Sequence, residues 1–194
     1  KIFLEVIVAN GFEASALKIL KRKNNLRVID ASKLIVDNTQ SYSNNFNSFL
    51  IQNPDNKFFN SKNFIIVSKL KPSKKMLKNL IFAFNVCRFV KSNAIVLANG
   101  DSTVGIGSGQ PSRLDSCDIA IQKMKRFNNN QPVNDIIAAS DAFFPFVDGI
   151  EKLVQAGVKA VVQPYGSIRD KEIINFANET KTVLVFSKTR HFNH

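Results

Sequence analysis

The chain is short of cysteine, histidine and acid, and each shortage closes off a class of function. Two cysteines in 194 residues, Cys87 and Cys117, cannot form a disulfide framework, so a reducing compartment is the default expectation. The only histidines, His191 and His194, sit in the last four residues. A His-x-x-His pair with no nearby cysteine or carboxylate pair is a weak case for a metal site, and no metal is predicted. The H-x-E and P-C-x-x-C signature of zinc deaminases is missing, and no nucleophile triad can be assigned from spacing. No run of eighteen apolar residues occurs, so no transmembrane helix is predicted. The opening KIFLEVIVAN is too short, and too polar past Asn10, for a signal peptide. A cytoplasmic protein is the default expectation for a reducing compartment. Methionine is missing from the start as well. The chain opens at Lys1 directly on an apolar run, which predicts a fragment of something longer.

Scarce acid leaves a strong imbalance. Lysine and arginine number 27 against 15 aspartates and glutamates, for a net charge of +12. Such a balance favours anionic partners. However, 20 of the 27 cations are lysine and asparagine occurs 22 times, so AT-rich coding bias competes with a specific polyanion site as the explanation. Between Lys57 and Lys91 lie nine basic residues and no acidic one, interleaved with Phe58, Phe59, Phe64, Phe82, Phe84 and Phe89. This strip is either a solvated face or the surface of a basic RNA-binding module. Phe82 and Phe89 fit a buried helix face, and no glycine-aromatic RNA-recognition fingerprint is present.

Hydrophobic residues make up 44% of the chain, enough to bury a core. The periodicity predicts a strand over 4–9, a helix over 12–23 and a strand over 26–29, a β-α-β unit that implies a parallel pair. Residues 37–63 are rich in Asn, Ser, Lys and Phe, with little periodicity, and read as a long loop or an irregular excursion. A strand at 64–67 and a helix over 73–91 follow. Asn99-Gly100 between two apolar runs predicts a hairpin of 94–98 with 102–106. A helix over 112–127 begins at Ser112, with Asp115 at capping-box spacing. Strands at 136–139, 158–162 and 183–186 alternate with helices up to Gln155 and from Ser167, where Asp170 again stands three residues on. This alternation predicts an α/β fold, a layered sheet with helices on its faces. Cys87 and Cys117 are expected to fill helix faces.

Two motifs draw attention to chemistry. Gly105-Ile-Gly107-Ser-Gly109-Gln110 lacks the third glycine of a dinucleotide fingerprint and the Gly-Lys-Ser/Thr of a P-loop. It is either a tight strand-to-helix turn or a place where a ligand approaches backbone N–H groups, with Arg113 in the first helical turn to pair with an anion. Asp141-Ala-Phe-Phe-Pro-Phe146 falls at a strand end, where open α/β sheets bind ligands. Phe143 or Phe144 stacks on a planar heterocycle there, or the segment is a hydrophobic plug that seats the next helix.

Four blocks, KSNAIVLANGDSTVGIGSGQPSR, ASDAFFPFVDGI, QPYGSIRD and TRHFNH, in this order and spacing, resemble the AICAR transformylase/IMP cyclohydrolase family of purine biosynthesis. The resemblance covers most of the chain and is strongest from Lys91 to His194. It implies that residues 1–194 are the C-terminal portion of a transformylase domain with a cytidine-deaminase-like layered α/β/α sheet and no zinc, the upstream half and the cyclohydrolase domain being absent. The implied reaction moves a formyl group from 10-formyltetrahydrofolate to the 5-amino group of AICAR in a cytosolic homodimer, without nucleic acid or membrane. By motif, Asn93, Arg113, Phe143 and Arg190 are implied to bind AICAR, with Asn93 also positioning the formyl group. Leu114, Asp148, Ser167 and Ile168 are implied to bind the folate, and His194 matches the family's terminal histidine. Two positions depart from the family pattern: Lys188 stands where glycine is common, and Tyr165 replaces the first glycine of a QPGGS turn. The family's catalytic Lys-His dipeptide does not occur in these residues. The fragment alone is therefore expected to have little or no transfer activity.

Overall fold

The structure is a computed structural model that describes residues 3–34, 40–131 and 133–194. The chain divides into two compact units, Lys1–Pro54 and Asp55–His194.

In the first unit, β1 (Val6–Ala9), α1 (Ala14–Leu20) and β2 (Arg27–Asp30) form the predicted β-α-β turn, with β1 and β2 parallel. The predicted loop over 37–63 needs correcting. Residues 37–39 lie outside the described residues, but β3 (Ser41–Asn45) and β4 (Ser48–Gln52) pair antiparallel, with Ser41 opposite Gln52. Tyr42, Phe49, Leu50 and Ile51 of this hairpin are all exposed. Neither face is buried, so the strands leave no polar–apolar alternation to read in the sequence.

The second unit holds the core. After a 3-10 turn at Ser61–Asn63 come β5 (Phe64–Ile66), α2 (Lys74–Cys87), β6 (Ile95–Asn99), β7 (Ser102–Gly107), α3 (Arg113–Phe127) and β8 (Ile137–Ser140). Then α4 (Val147–Gln155), β9 (Ala160–Pro164), α5 (Asp170–Glu179) and β10 (Val183–Ser187) complete it. The sheet order is β5-β10-β9-β8-β6-β7. β8, β9 and β10 are mutually parallel, while β5 and β6 run against them and β7 against β6.

Alternation across these strands sorts the side chains into two layers. Ile95, Leu97, Ala138, Val161 and Leu184 pack with Cys117 of α3, Ile150 of α4 and Ile173 of α5. Val96, Ala98, Ile137, Ala139, Val162 and Val185 pack with Leu80, Ala83, Phe84 and Cys87 of α2. The predicted α/β fold is thus a layered sheet with one helix on one face and three on the other. Both faces are covered, so the central strands read as unbroken apolar runs. The two cysteines fill opposite layers as free thiols. Burial pushes the Cys117 thiol up to about 12 and raises Cys87 well above its usual value.

The helix starts follow the sequence in part. Ser73 Oγ accepts from Met76 N at 3.1 Å and Ser112 Oγ from Leu114 N at 3.2 Å, so both serines cap the helices they were expected to open. At the third site α5 begins at Asp170, later than Ser167 implied. There Ser167 Oγ accepts from Arg169 N at 3.1 Å, and Asp170 Oδ2 accepts from Gly166 N at 2.8 Å. These bonds build a turn ahead of the helix. Phe89 also needs correcting: α2 stops at Cys87, and Phe89 lies exposed beyond it, stacked on Arg88. Phe84 is the aromatic that α2 buries completely.

Candidate functional site

Strand register gathers the separate motifs at one end of the large sheet. Ile95 stands opposite both Ser140 of β8 and Gly107 of β7. The residues just before β6, just after β7 and just after β8 therefore meet. β9 and β10, parallel to β8, end on the same side at Pro164 and Ser187. This is the strand-end position at which open α/β sheets bind ligands.

A cleft of about 520 Å³ opens there, within the range of small-molecule sites. Asn93, Arg113, Leu114, Phe143, Asp148 and Arg190 all line it. Six of the eight residues implied to contact a ligand thus face one space, five of them from three of the four sequence blocks and Leu114 directly after the first. Pro111, Phe146 and Phe192 add apolar wall that spacing did not single out.

The floor of the cleft is a buried polar cluster. Arg113 Nη1 pairs with Asp141 Oδ1, and the side chains are only 10% and 0% exposed. Nη1 also donates to Ser140 Oγ at 2.9 Å, and Nη2 to Asn93 Oδ1 at 2.8 Å. Ser92 Oγ donates to Asp141 Oδ2. Asn93 Nδ2 donates to Gln110 O at 2.9 Å and Pro111 O at 3.0 Å, and Ser116 Oγ donates to Asn93 O at 2.7 Å. The Ser92–Asn93 peptide is cis. Removing either partner of such a buried ion pair leaves an uncompensated charge, at a cost of about 3 to 5 kcal/mol. Sequence spacing missed Asp141 and Ser140 as partners of Arg113, and Ser92 as the second partner of Asp141. An acid one residue after an apolar run, in Ile136-Ile-Ala-Ala-Ser-Asp141, was the one available signal.

The two motifs resolve differently. In DAFFPF the two adjacent rings part company. Phe144 is the plug: it is 1% exposed, and a Cβ on Gly149 would fall 2.6 Å from its Cδ1. Phe143 lines the cleft, and the Arg190 guanidinium carbon lies 4.8 Å from its ring centroid. The ligand-approach reading of the glycine run is corrected. Gly105 and Gly107 belong to β7, where a Cβ would lie 2.1 Å from Ala120 O and 1.9 Å from Ser116 O. They admit the backbone of α3 against the strand. Only Gly109, at φ +68°, makes the turn.

Ser167 and Ile168 do not line the cleft. Ser167 Oγ is engaged within its own turn, and the Ile168 side chain is fully exposed. Their loop borders the cleft instead. Gly166, at φ +112°, lies beside Arg190, with 3.6 Å between its would-be Cβ and Nη2. Arg169 covers the Phe146 ring at 4.9 Å. Tyr165 N donates to Ser187 O at 3.1 Å, and the exposed Tyr165 side chain is accommodated at the surface of the turn.

The histidines separate. His191 is 0% exposed, packed against Phe59 and Phe84, with Nδ1 bonded to the Asp55 carboxylate. Burial lowers its pKa from the ordinary 6.5, against the opposing pull of Asp55. His194 packs on the Phe192 ring, centroids 5.3 Å apart. Among the described residues, no group of three or more His, Cys, Asp or Glu is placed to hold a metal ion, and no helix is long and apolar enough to cross a membrane. In the basic strip, Lys75 pairs with Asp135 at 3.6 Å and Lys78 with Asp101 at 3.3 Å. Acids missing from the local sequence are supplied from other elements.

Residues 1–123 match the family model described as AICARFT/IMPCHase bienzyme. Over its whole length the chain is 44% identical to the bifunctional purine biosynthesis protein PurH of Buchnera aphidicola subsp. Schizaphis graminum, covering 37% of that protein. It is 42% identical to PurH of Fusobacterium nucleatum, again over the whole chain and 37% of the relative. To PurH of Ligilactobacillus salivarius it is 42% identical, over the whole chain and 38% of the relative. The chain thus spans a little over a third of the length of the curated relatives it matches.

Proposed function

The chain belongs to the AICARFT/IMPCHase bienzyme family, and from that membership we propose that its cleft binds AICAR and 10-formyltetrahydrofolate as the C-terminal portion of a transformylase domain. The observation that carries this reading is the convergence of Asn93, Arg113, Phe143 and Arg190 with Leu114 and Asp148 on one cleft of about 520 Å³. Apolar walls with a few fixed polar groups suit a planar heterocycle that carries an anionic end.

In this reading the Phe143 ring supports the imidazole of AICAR and Arg190 meets its phosphate. Asn93 takes a defined part. Both its Nδ2 protons are given to backbone carbonyls, and Oδ1 already accepts from Arg113. Its second Oδ1 lone pair is left to accept an N–H of the 5-amino group, which orients the nitrogen lone pair toward the formyl carbon. Leu114 and Asp148 face the folate, Asp148 as an acceptor for pterin N–H groups, and Ser167 and Ile168 approach it from the bordering loop. The formyl C–N10 bond of 10-formyltetrahydrofolate breaks as the new formyl C–N bond forms; the amino group loses a proton, and N10 leaves with the electron pair and gains one. The acceptor of that proton and the stabiliser of charge on the formyl oxygen are the family's Lys-His pair, which these 194 residues do not supply. The complete enzyme, a cytosolic homodimer with a cyclohydrolase domain that closes the ring to IMP, completes the site.

Calorimetry on the chain tests the reading. AICAR and a folate analogue are each expected to bind saturably, with formyl transfer near background. Turnover close to that of a full-length relative, or no heat from either ligand, overturns it.

A further inference from the structure

We infer that Asp141 is a positioning residue that holds Arg113 as an oriented but charge-neutralised donor, so that Arg113 reads the uncharged end of the ligand and Arg190 the anionic end. The inference rests on the cleft being the AICAR site.

Asp141 is fully buried and is tied on every side. Its carboxylate takes Arg113 Nη1 and Ser92 Oγ. Its N–H donates to Ala94 O at 3.2 Å, and its carbonyl accepts from His191 N at 2.9 Å. One residue thus joins the start of β6, the first turn of α3 and the C-terminal tail. Arg113 in turn has three acceptors on two nitrogens: Asp141, Ser140 and Asn93. Three bonds in a fork define the plane of a guanidinium. That plane sets Asn93 Oδ1, the acceptor proposed for the 5-amino group.

Charge divides the labour further. Opposite charges in contact largely cancel each other's field at a distance, so the Arg113–Asp141 pair attracts an anion only weakly. Arg190 differs: among the described residues no carboxylate lies within ion-pair distance of it, and its guanidinium rests on Phe143. Affinity for phosphate therefore falls to Arg190, and geometry at the heterocycle falls to Arg113 under the control of Asp141. Neither cation by itself reveals this split, because in the sequence they are two equal arginines.

The test has two arms. Arginine-detected NMR on the wild-type chain is expected to resolve slowly rotating Arg113 Nη protons, with a through-hydrogen-bond coupling to the Asp141 carboxylate carbon. Calorimetry of Asp141→Asn is then expected to show the phosphate-free ribonucleoside weakened by about tenfold or more, and AICAR weakened less. The nucleotide-to-nucleoside affinity ratio should rise, because Arg113 loses its counter-charge, and the affinity for a folate analogue should be unchanged. Should Asp141→Asn fail to fold, Ser92→Ala keeps the charge and removes one anchor, so that AICAR and the nucleoside are expected to weaken alike, by about threefold, with the folate analogue unchanged. Freely rotating Arg113 Nη groups in the wild type, an unweakened nucleoside, or equal weakening of nucleoside and folate overturns the proposal. A wild-type chain that has the coupling but binds neither AICAR nor the nucleoside refutes the AICAR reading and leaves the hold of Asp141 on Arg113 standing.

Discussion

Arg190 lies over the face of Phe143, its guanidinium carbon 4.8 Å from the ring centroid. The two residues come from different sheet-end loops and meet in the cleft. A cation over an aromatic face is held at low cost while its N–H groups stay free for an anion. Arg190→Ala is therefore expected to weaken AICAR binding by about tenfold or more, equivalent to about 1.4 kcal/mol. The phosphate-free ribonucleoside should lose little. Calorimetry with both ligands checks this, and an equal loss for the two would remove Arg190 from the phosphate.

Gly107 lets α3 approach β7. A Cβ there would sit 1.9 Å from Ser116 O and 2.8 Å from Ser116 Cα, both backbone atoms. Neither can swing aside as a side chain does, so Gly107→Ala must push helix and strand apart. Overpacking of this kind costs about 1 to 3 kcal/mol, and rigid backbone neighbours place it at the upper end. Urea denaturation should reveal the loss. Gly100→Ala is the contrast: nothing lies within 4 Å of its would-be Cβ, and only its φ of +61° opposes the change.

The buried His191 predicts a pH dependence of stability. Burial makes the folded imidazole harder to protonate than the unfolded one, so its pKa lies below the ordinary 6.5. Above 6.5 both states are neutral and the His191 contribution is fully present. As pH falls below that value the unfolded chain takes up the proton first and stability declines. The decline levels off once the folded imidazole is protonated too. Urea midpoints taken from neutral pH downward are expected to drop more steeply for the wild type than for His191→Gln. Identical slopes would mean that the imidazole is not the titrating group.

How much of this was readable beforehand can be judged residue by residue. The β-α-β opening, the hairpin at Asn99-Gly100, the caps at Ser73 and Ser112 and the alternation that makes the layered sheet all rest on local rules, and all stand in the structure. The hairpin at 41–52 was invisible because it buries neither face. Gly105 and Gly107 were misread because a glycine that admits a helix and a glycine that admits a ligand have the same letter. The site was legible as four blocks, but their meeting was not.

The sequence by itself determined the family, the α/β class, the core strands and which side chains were worth watching, because periodicity, capping and motif order are properties of neighbours along the chain. Only the tertiary structure decided that Phe143 faces the cleft while Phe144 plugs the core, that Ser167 and Ile168 stand at its border, and that His191 is an anchor bonded to Asp55. It also decided that Arg113 carries a buried counter-ion while Arg190, among the described residues, does not. Those are relations between residues far apart in the chain. Strand register and burial create them, and neither is written in any local stretch of residues.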